Sequence, residues 1–176
     1  MPPTELDDIK ARLLALENER AIRELIGRYG HYADLGYEDA WVDQWTDDGV
    51  YDLTTIVRKG AGYEGNMRFA GREQLYEHIR DPVAHKALEG RSLHIQDMNL
   101  TIRVTGDAAT AESYSMTLLR EGDDTVVRSA GMIRWTLRRT GDRWRIVEKR
   151  RRPPGDADLF AGIEKTPGGV LPAAGG

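Results

Sequence analysis

The sequence predicts an α+β domain in which a curved antiparallel sheet wraps around N-terminal helices, and three features predict it. Helical periodicity dominates the first part of the chain, with apolar residues at three-four spacing from Leu6 to Tyr29. Four alternating runs follow one another later: Ser92 to Val104, Ala109 to Arg120, Thr125 to Arg138 and Trp144 to Arg151. The turns between them, Thr105-Gly106-Asp107, Glu121-Gly122-Asp123-Asp124 and Thr140-Gly141-Asp142, carry Gly-Asp pairs that close hairpins. Helices, one strand, a further helix and a four-stranded meander form a half-cone with one open end.

Each element has its own signal. Leu6, Ile9, Leu13 and Leu16 make a narrow apolar stripe on a strongly charged helix, suited to a neighbouring subunit. The spacing slips at Glu17 to Arg20 and resumes with Ile22, Leu25, Ile26 and Tyr29 against the core, so one helix, or two joined at the slip, carries both stripes. Gly36 ends it as a left-handed cap. Tyr37 to Trp45 reads as a short helix, Asp47-Asp48-Gly49 as a turn and Val50 to Val57 as a strand. Gly60 to Phe69, with three glycines, reads as a loop able to cover a pocket. Arg72 to about Arg80 is a third helix, which Pro82 interrupts before Val83 to Leu88. Pro153-Pro154-Gly155 stops the meander, and a small apolar island at Leu159 to Ile163 precedes a Pro/Gly/Ala tail. The expected organisation is a helical extension over 1–16, one domain over 17–152 and a tail over 153–176.

Composition narrows the function. With 40% apolar and 31% charged residues and a net charge of −4, the chain is an ordinary globular domain and lacks the basic balance of a nucleic-acid binder. It has no cysteine, which removes thiolate catalysis, thiolate metal sites and disulfides. No apolar run reaches the roughly 20 residues of a membrane span, and Met1 to Asp8 is acidic and polar, so no membrane partner and a cytoplasmic setting are expected. The four histidines lack the spacing of a metal site, so none is expected. Neither a phosphate loop nor a Gly-x-Ser-x-Gly elbow occurs.

Two distant stretches make chemical sense together. Asp34 falls in the last turn of the first helix, where the dipole disfavours a carboxylate unless a donor answers it. His94 opens an alternation in which Gln96, Met98, Leu100, Ile102 and Val104 share its face, so an imidazole stands in line with core side chains. If the helix packs on that face, the two form a His–Asp pair at the mouth of an apolar cavity. Strand parity lets Tyr51 or Asp52 face that cavity, but not both easily. His31, His78 and His85 are expected at the surface.

Several local marks carry a resemblance: Ala21-Ile-Arg-Glu-Leu25 leading to Tyr29 and Asp34, Asp47-Asp48-Gly-Val-Tyr51, Ala70-Gly-Arg-Glu73, Leu93-His94, Ala109 to Tyr114 and Gly141 to Ile146. Through them residues 17 to 151 resemble the nuclear-transport-factor-2-like (NTF2-like) superfamily, and within it the SnoaL-like group. That group includes polyketide cyclases, scytalone dehydratase, bile-acid dehydratase and a hexachlorocyclohexane dehydrochlorinase. The resemblance implies a cone-like α+β barrel, His94 as general base, Asp34 as its orienting group, and supporting roles for Tyr29 and Lys149. In ketosteroid-isomerase-like members a strand aspartate near Asp52 shuttles the proton. Where relatives have a second histidine or an acid on the strand over 109–120, this chain offers neutral Ser115, which leaves the leaving-group acid unassigned.

Elimination needs a base within about 3 Å of an acidic C–H and a donor for the departing group. An imidazole that donates to a carboxylate through one nitrogen has its other nitrogen free to take the proton. The expectation is therefore a cofactor-independent lyase of the dehydratase type acting on a hydrophobic cyclic small molecule. His94, Asp34 and Tyr29 are its catalytic group, and Tyr32, Tyr51, Asp52, Trp45, Met98, Ser115, Met132 and Lys149 are its substrate-facing candidates. The alternatives are an isomerase or cyclase using Asp52 or Asp34 as proton shuttle, and a non-catalytic ligand-binding module. Alternating Ile133, Trp135 and Leu137, with Tyr114, Met116 and Leu118, are expected on an outer face that packs sheet to sheet in a homodimer or homotrimer.

Overall fold

The computed structural model describes residues 4–54, 66–82 and 85–158. One unbroken helix, α1 (Glu5–Asp34), carries both stripes. A reciprocal cap starts it: Thr4 Oγ1 accepts the Asp7 N–H at 3.3 Å, and the Asp7 carboxylate accepts the Thr4 N–H at 3.0 Å. Leu6, Ile9, Leu13 and Leu16 stay exposed, whereas Ile22, Ile26, Tyr29 and Ala33, one helical face, are buried.

After α2 (Glu38–Val42) come β1 (Trp45–Thr54), β2 (Asn66–Ala70), α3 (Gly71–Arg80) and a 3-10 turn (Lys86–Leu88). The meander follows as β3 (Ser92–Thr105), β4 (Ala108–Glu121), β5 (Asp124–Thr140) and β6 (Arg143–Arg152). The six strands form one curved, unclosed sheet in the order β2-β1-β6-β5-β4-β3. Only the β1–β6 pair is parallel. Gly106, Gly122 and Gly141 take positive φ in the three hairpin turns, the conformation for which those positions need glycine.

Four local differences from expectation have plain causes. Trp45 begins β1 rather than ending α2, and Asp47-Asp48-Gly49 is an irregularity inside β1, where its register against β6 slips between Trp45 and Val50. Gly49 permits it, since a Cβ there would lie 3.1 Å from the Trp45 Cβ. Residues 66–69, expected in a loop, pair with β1 as a strand in which Met67 and Phe69 alternate. Helix α3 ends before Pro82, and only a 3-10 turn follows it over 86–88. The rest of the expected loop, 60–65, and the island at 159–163 lie outside the described residues.

Sheet parity decides what faces the helices. Ser113, Ser115 and Thr117 of β4 pair with Ile133, Gly131 and Ser129 of β5, and all six share the helix-covered face. Ile133, Trp135 and Leu137 are buried in the core there, which corrects their expected place on the outer face; Tyr114 pairs with Met132 on the opposite side.

Helix α1 meets β3 at a glycine. A Cβ on Gly30 would collide with the His94 carbonyl oxygen, so only glycine lets the helix lie this close to the strand. One turn later the same helical face presents Asp34. Gly27, by contrast, has open space around its Cβ position. Gly30→Ala is therefore expected to cost about 1–3 kcal/mol by overpacking, whereas Gly27→Ala gains up to about 1 kcal/mol in helix propensity. Urea unfolding midpoints of the two variants check this, and equal effects would contradict the close approach.

Candidate active site

Asp34 is the hub of the α1–β3 contact. Its Oδ2 accepts the His94 backbone N–H at 2.8 Å, and its Oδ1 lies 2.6 Å from His94 Nδ1. Ser92 Oγ stands 3.0 Å from Asp34 Oδ1 and 3.0 Å from the Leu88 carbonyl, and its single proton serves one of them at a time. The Asp34 carbonyl accepts the Gly90 N–H at 2.9 Å. Backbone and side chain of one residue thus clamp the segment from Leu88 to His94 onto the end of α1. The donors supply what a carboxylate at the negative end of a helix requires. An ionised Asp34 only accepts, so Nδ1 is the donor of this contact, and in the neutral ring the lone pair is then on Nε2.

Beside this pair the chain sets two more imidazoles. The His85 ring stacks on His94 at 5.1 Å with 20° between planes, and His78 meets His85 edge-on at 4.9 Å. His78 also lies against Phe69 and Tyr51, at 4.3 and 5.1 Å. Both are buried, which corrects their expected surface positions. Burial, with the positive charge of Lys149 as a lesser cause, lowers His78 to about 3. Burial and neighbouring His78 likewise push His85 well below the ordinary histidine range. Both rings are neutral, and His78 Nε2 and His85 Nδ1 have no hydrogen-bond partner. Among the described residues no three side chains form a cluster able to hold a metal ion.

The floor next to the histidines is aromatic and cationic. Lys149 is 1% exposed; its ammonium donates to Gln96 Oε1 at 2.9 Å and lies 3.7 Å from the Tyr29 ring centroid, 4.7 Å from Tyr51 and 5.0 Å from Trp135. Burial first, then the charge of Arg151, pushes this lysine well below its ordinary range. Burial raises both Tyr29 and Tyr51, so both stay phenols. The Tyr29 hydroxyl is buried with no partner, as are Trp41 Nε1, Trp45 Nε1 and Arg151 Nη2. Each such group costs about 1–3 kcal/mol, which a bound polar molecule would offset.

A model of the SnoaL-like domain matches residues 14–150. The chain belongs to the SnoaL-like family. An NTF2-like protein with a cystatin-like fold from Novosphingobium aromaticivorans is 30% identical, with a TM-score of 0.77 over 93% of this chain and 99% of that one. A protein of unknown function from Mycobacterium tuberculosis is 22% identical, with a TM-score of 0.66 over 83% of this chain and 89% of that one. A candidate scytalone dehydratase from Novosphingobium aromaticivorans shares the fold at 14% identity, with a TM-score of 0.63 over 79% of this chain and 85% of that one. No sequence among the curated proteins matches. No helix among the described residues is long and apolar enough to cross a membrane.

In this SnoaL-like chain the sequence-selected residues fall into three groups. His94, Asp34, Tyr29, Tyr51, Ser115 and Lys149 share the helix-covered face. Trp45 is fully buried between Tyr29 and Trp41, and Tyr32 is partly buried beside Tyr37. Asp52, Met98 and Met132 lie on the other face. Asp52 pairs across β1–β6 with Arg150, and its carboxylate accepts two bonds from Arg152, at 2.9 and 3.2 Å. Met98 sits opposite Tyr114, because β3 bulges between Ile95 and Met98 and again before Thr101, with Asn99 at φ 54°. Met132 alternates with inward Ile133. The residues not anticipated are His78, His85, Gln96 and Arg151. His78 stands at helical spacing from Leu75 and beside Ile79, a readable signal; His85 sits just before a 3-10 turn and has none.

The buried histidines set a pH dependence. An unfolded histidine takes up its proton near pH 6.5, whereas folded His78 resists until about 3. Between those values the unfolded chain binds more protons, so stability is full above the unfolded value and falls as pH drops, by about 1.4 kcal/mol per unit for this group. His78→Leu is expected to remove about 2 kcal/mol of the stability loss between pH 6.5 and 5. Urea titrations at both pH values check it; identical losses in wild type and variant would refute the burial argument.

Proposed function

We propose that the protein is a cofactor-independent lyase that removes water from a hydrophobic cyclic hydroxy-carbonyl compound. The observation that carries this reading is the 2.6 Å contact between Asp34 and His94 Nδ1, which leaves His94 Nε2 as the basic atom. Family membership supports it at the level of small-molecule chemistry, since SnoaL-like proteins include dehydratases and cyclases.

The step balances with one base. His94 Nε2 takes the proton from the carbon next to the carbonyl, and the C–H electrons move onto the carbonyl oxygen as an enolate. Tyr29 and Tyr51, held as phenols by burial, are the donors for that oxygen. The enolate then reforms the carbonyl, the C–O bond at the β-carbon breaks, and the leaving hydroxide takes the same proton back from the His94 imidazolium. Water leaves on the face on which the proton was taken, which answers the lack of a second acid at Ser115. Asp34 is the positioning residue: it fixes the tautomer and stabilises the imidazolium. Proton shuttling by Asp52 has no support, because that carboxylate is held by Arg152 on the opposite face.

The compound 3-hydroxy-1-tetralone suits the test, because losing water converts it into fluorescent 1-naphthol. The wild type is expected to release 1-naphthol above the buffer rate and His94→Ala to abolish the excess. Asp34→Asn is expected to lower kcat about 10²- to 10⁴-fold with a smaller change in KM. A wild-type protein no faster than buffer, or a His94→Ala variant with undiminished rate, overturns the reading.

A further inference from the structure

The run Lys149-Arg150-Arg151-Arg152 reads in sequence as a solvated strand end with one of the four turned inward. The structure divides it by parity into two unlike pairs. Arg150 and Arg152, on the outer face, meet acids: Arg152 bonds to Asp52, and Arg150 lies 3.7 Å from Asp52 and 3.4 Å from Glu148. Lys149 and Arg151, on the helix-covered face, are 1% and 8% exposed and meet no carboxylate among the described residues. The polar partner of Lys149 is the neutral Gln96 amide, at 2.9 Å. Arg151 Nε donates to neutral Ser115 Oγ at 3.3 Å, and Arg151 Nη2 donates to nothing.

A buried guanidinium with no carboxylate beside it among the described residues is costly, and burial together with that charge pushes the neighbouring Lys149 well below its ordinary range, a penalty that the three aromatic rings around it offset only in part. A Cβ on Gly131 would lie 2.6 Å from the Arg152 carbonyl oxygen and only in ordinary contact with the Arg151 guanidinium, so this glycine serves the close approach of β5 and β6 and leaves the guanidinium packed against bare backbone. Ser115 fixes the Nε edge and leaves Nη2 to a partner.

We propose that Arg151 and Lys149 form a carboxylate-binding subsite, so that the site takes organic acids with a flat apolar body in preference to their neutral counterparts. A carboxylate is planar and can accept from the guanidinium through one oxygen and from the ammonium through the other. The rings of Tyr29, Tyr51 and Trp135 beside Lys149 favour a flat ring next to the carboxylate.

The subsite also stands near the base in the sheet. Gln96, which holds Lys149, is two residues beyond His94 on the same face, and Ser115, which holds Arg151, is two residues from Thr117, the cross-strand partner of His94. One such two-residue step is roughly 7 Å along a strand, so the residues that hold the two basic groups lie within two strand positions of His94 or of its cross-strand partner. This names the substrate class for the site of the proposed lyase and rests on that reading for its chemical consequence, while binding itself needs no turnover.

The test is calorimetric titration at pH 7 with 2-naphthoate and its neutral isostere 2-naphthamide. Wild-type protein is expected to bind the naphthoate at least tenfold more tightly than the amide. Arg151→Met and Lys149→Met should each remove most of that preference, Arg151→Lys should retain part of it, and His94→Ala should leave it intact. Should Arg151→Met fail to fold, the Arg151→Lys and Lys149→Met comparisons carry the same test. Equal affinities in the wild type, no binding of either compound at millimolar concentration, or a preference untouched by the variants overturns the proposal. Loss of turnover in His94→Ala without any carboxylate preference would sink the subsite alone, and the reverse result would sink only the lyase.

Discussion

The site depends on one carboxylate that does two jobs. Asp34 ends α1, where the dipole penalises it, and His94 begins β3, where a lone imidazole among core side chains would lack a partner; each answers the other. The backbone N–H of His94 bonds to the same carboxylate, so ring and main chain are held together and the imidazole has little freedom left. Gly30 makes this possible one turn earlier by removing the side chain that would hold the helix off the strand. The close approach precedes the chemistry: without it Asp34 would face the strand across a gap, and Ser92, His94 and the turn at Leu88 to Gly90 would have nothing to close upon.

Around that contact the interior is unusual for its polarity. Ser113, Ser115 and Thr117 on β4, Gln96 on β3, three histidines and two cations line the helix-covered face, beside a compact aromatic group of Tyr29, Trp41, Trp45 and Trp135. The aromatic cluster and the aliphatic residues behind it supply the apolar burial that holds the domain together. The polar residues draw on that stability. Several remain without partners, as buried groups do where function rather than folding selects them. On the outer face carboxylates meet cations, Asp52 with Arg152 and Glu112 with Arg103.

Much of this was legible before the structure. The helical stripe from Ile22 to Tyr29, the four hairpin strands and the meeting of Asp34 with His94 all follow from periodicity, turn chemistry and one unanswered carboxylate. What was not legible depends on parity and on isolated turns. Met98 left the inner face because β3 bulges twice, and a bulge built on a single left-handed Asn99 has no periodic signature. Ile133, Trp135 and Leu137 alternate cleanly, but alternation says which residues share a face and not which face is covered. His85 is buried by a short turn after a proline, where no repeat exists to read. His78 was readable, standing on the same helical face as Leu75 and Ile79, and prior expectation for histidine outweighed that spacing.

The same parity argument explains why four consecutive basic residues are not equivalent. In a strand every second side chain turns inward, so a run that looks like surface solvation necessarily sends half its charge toward the core once both faces of β6 are occupied. A protein with no use for that charge would be expected to place apolar residues at 149 and 151, as β5 does at Ile133 and Trp135 in the adjacent register positions. Instead the chain keeps a lysine and an arginine there, surrounds the lysine with rings that partly replace its hydration, and gives the arginine a serine hydroxyl. Compensation that stops at neutral partners, with the acids available on the other face of the same strand pair, is what separates a ligand-facing cation from a structural ion pair. The buried charge that meets no carboxylate among the described residues is what the proposed subsite rests on.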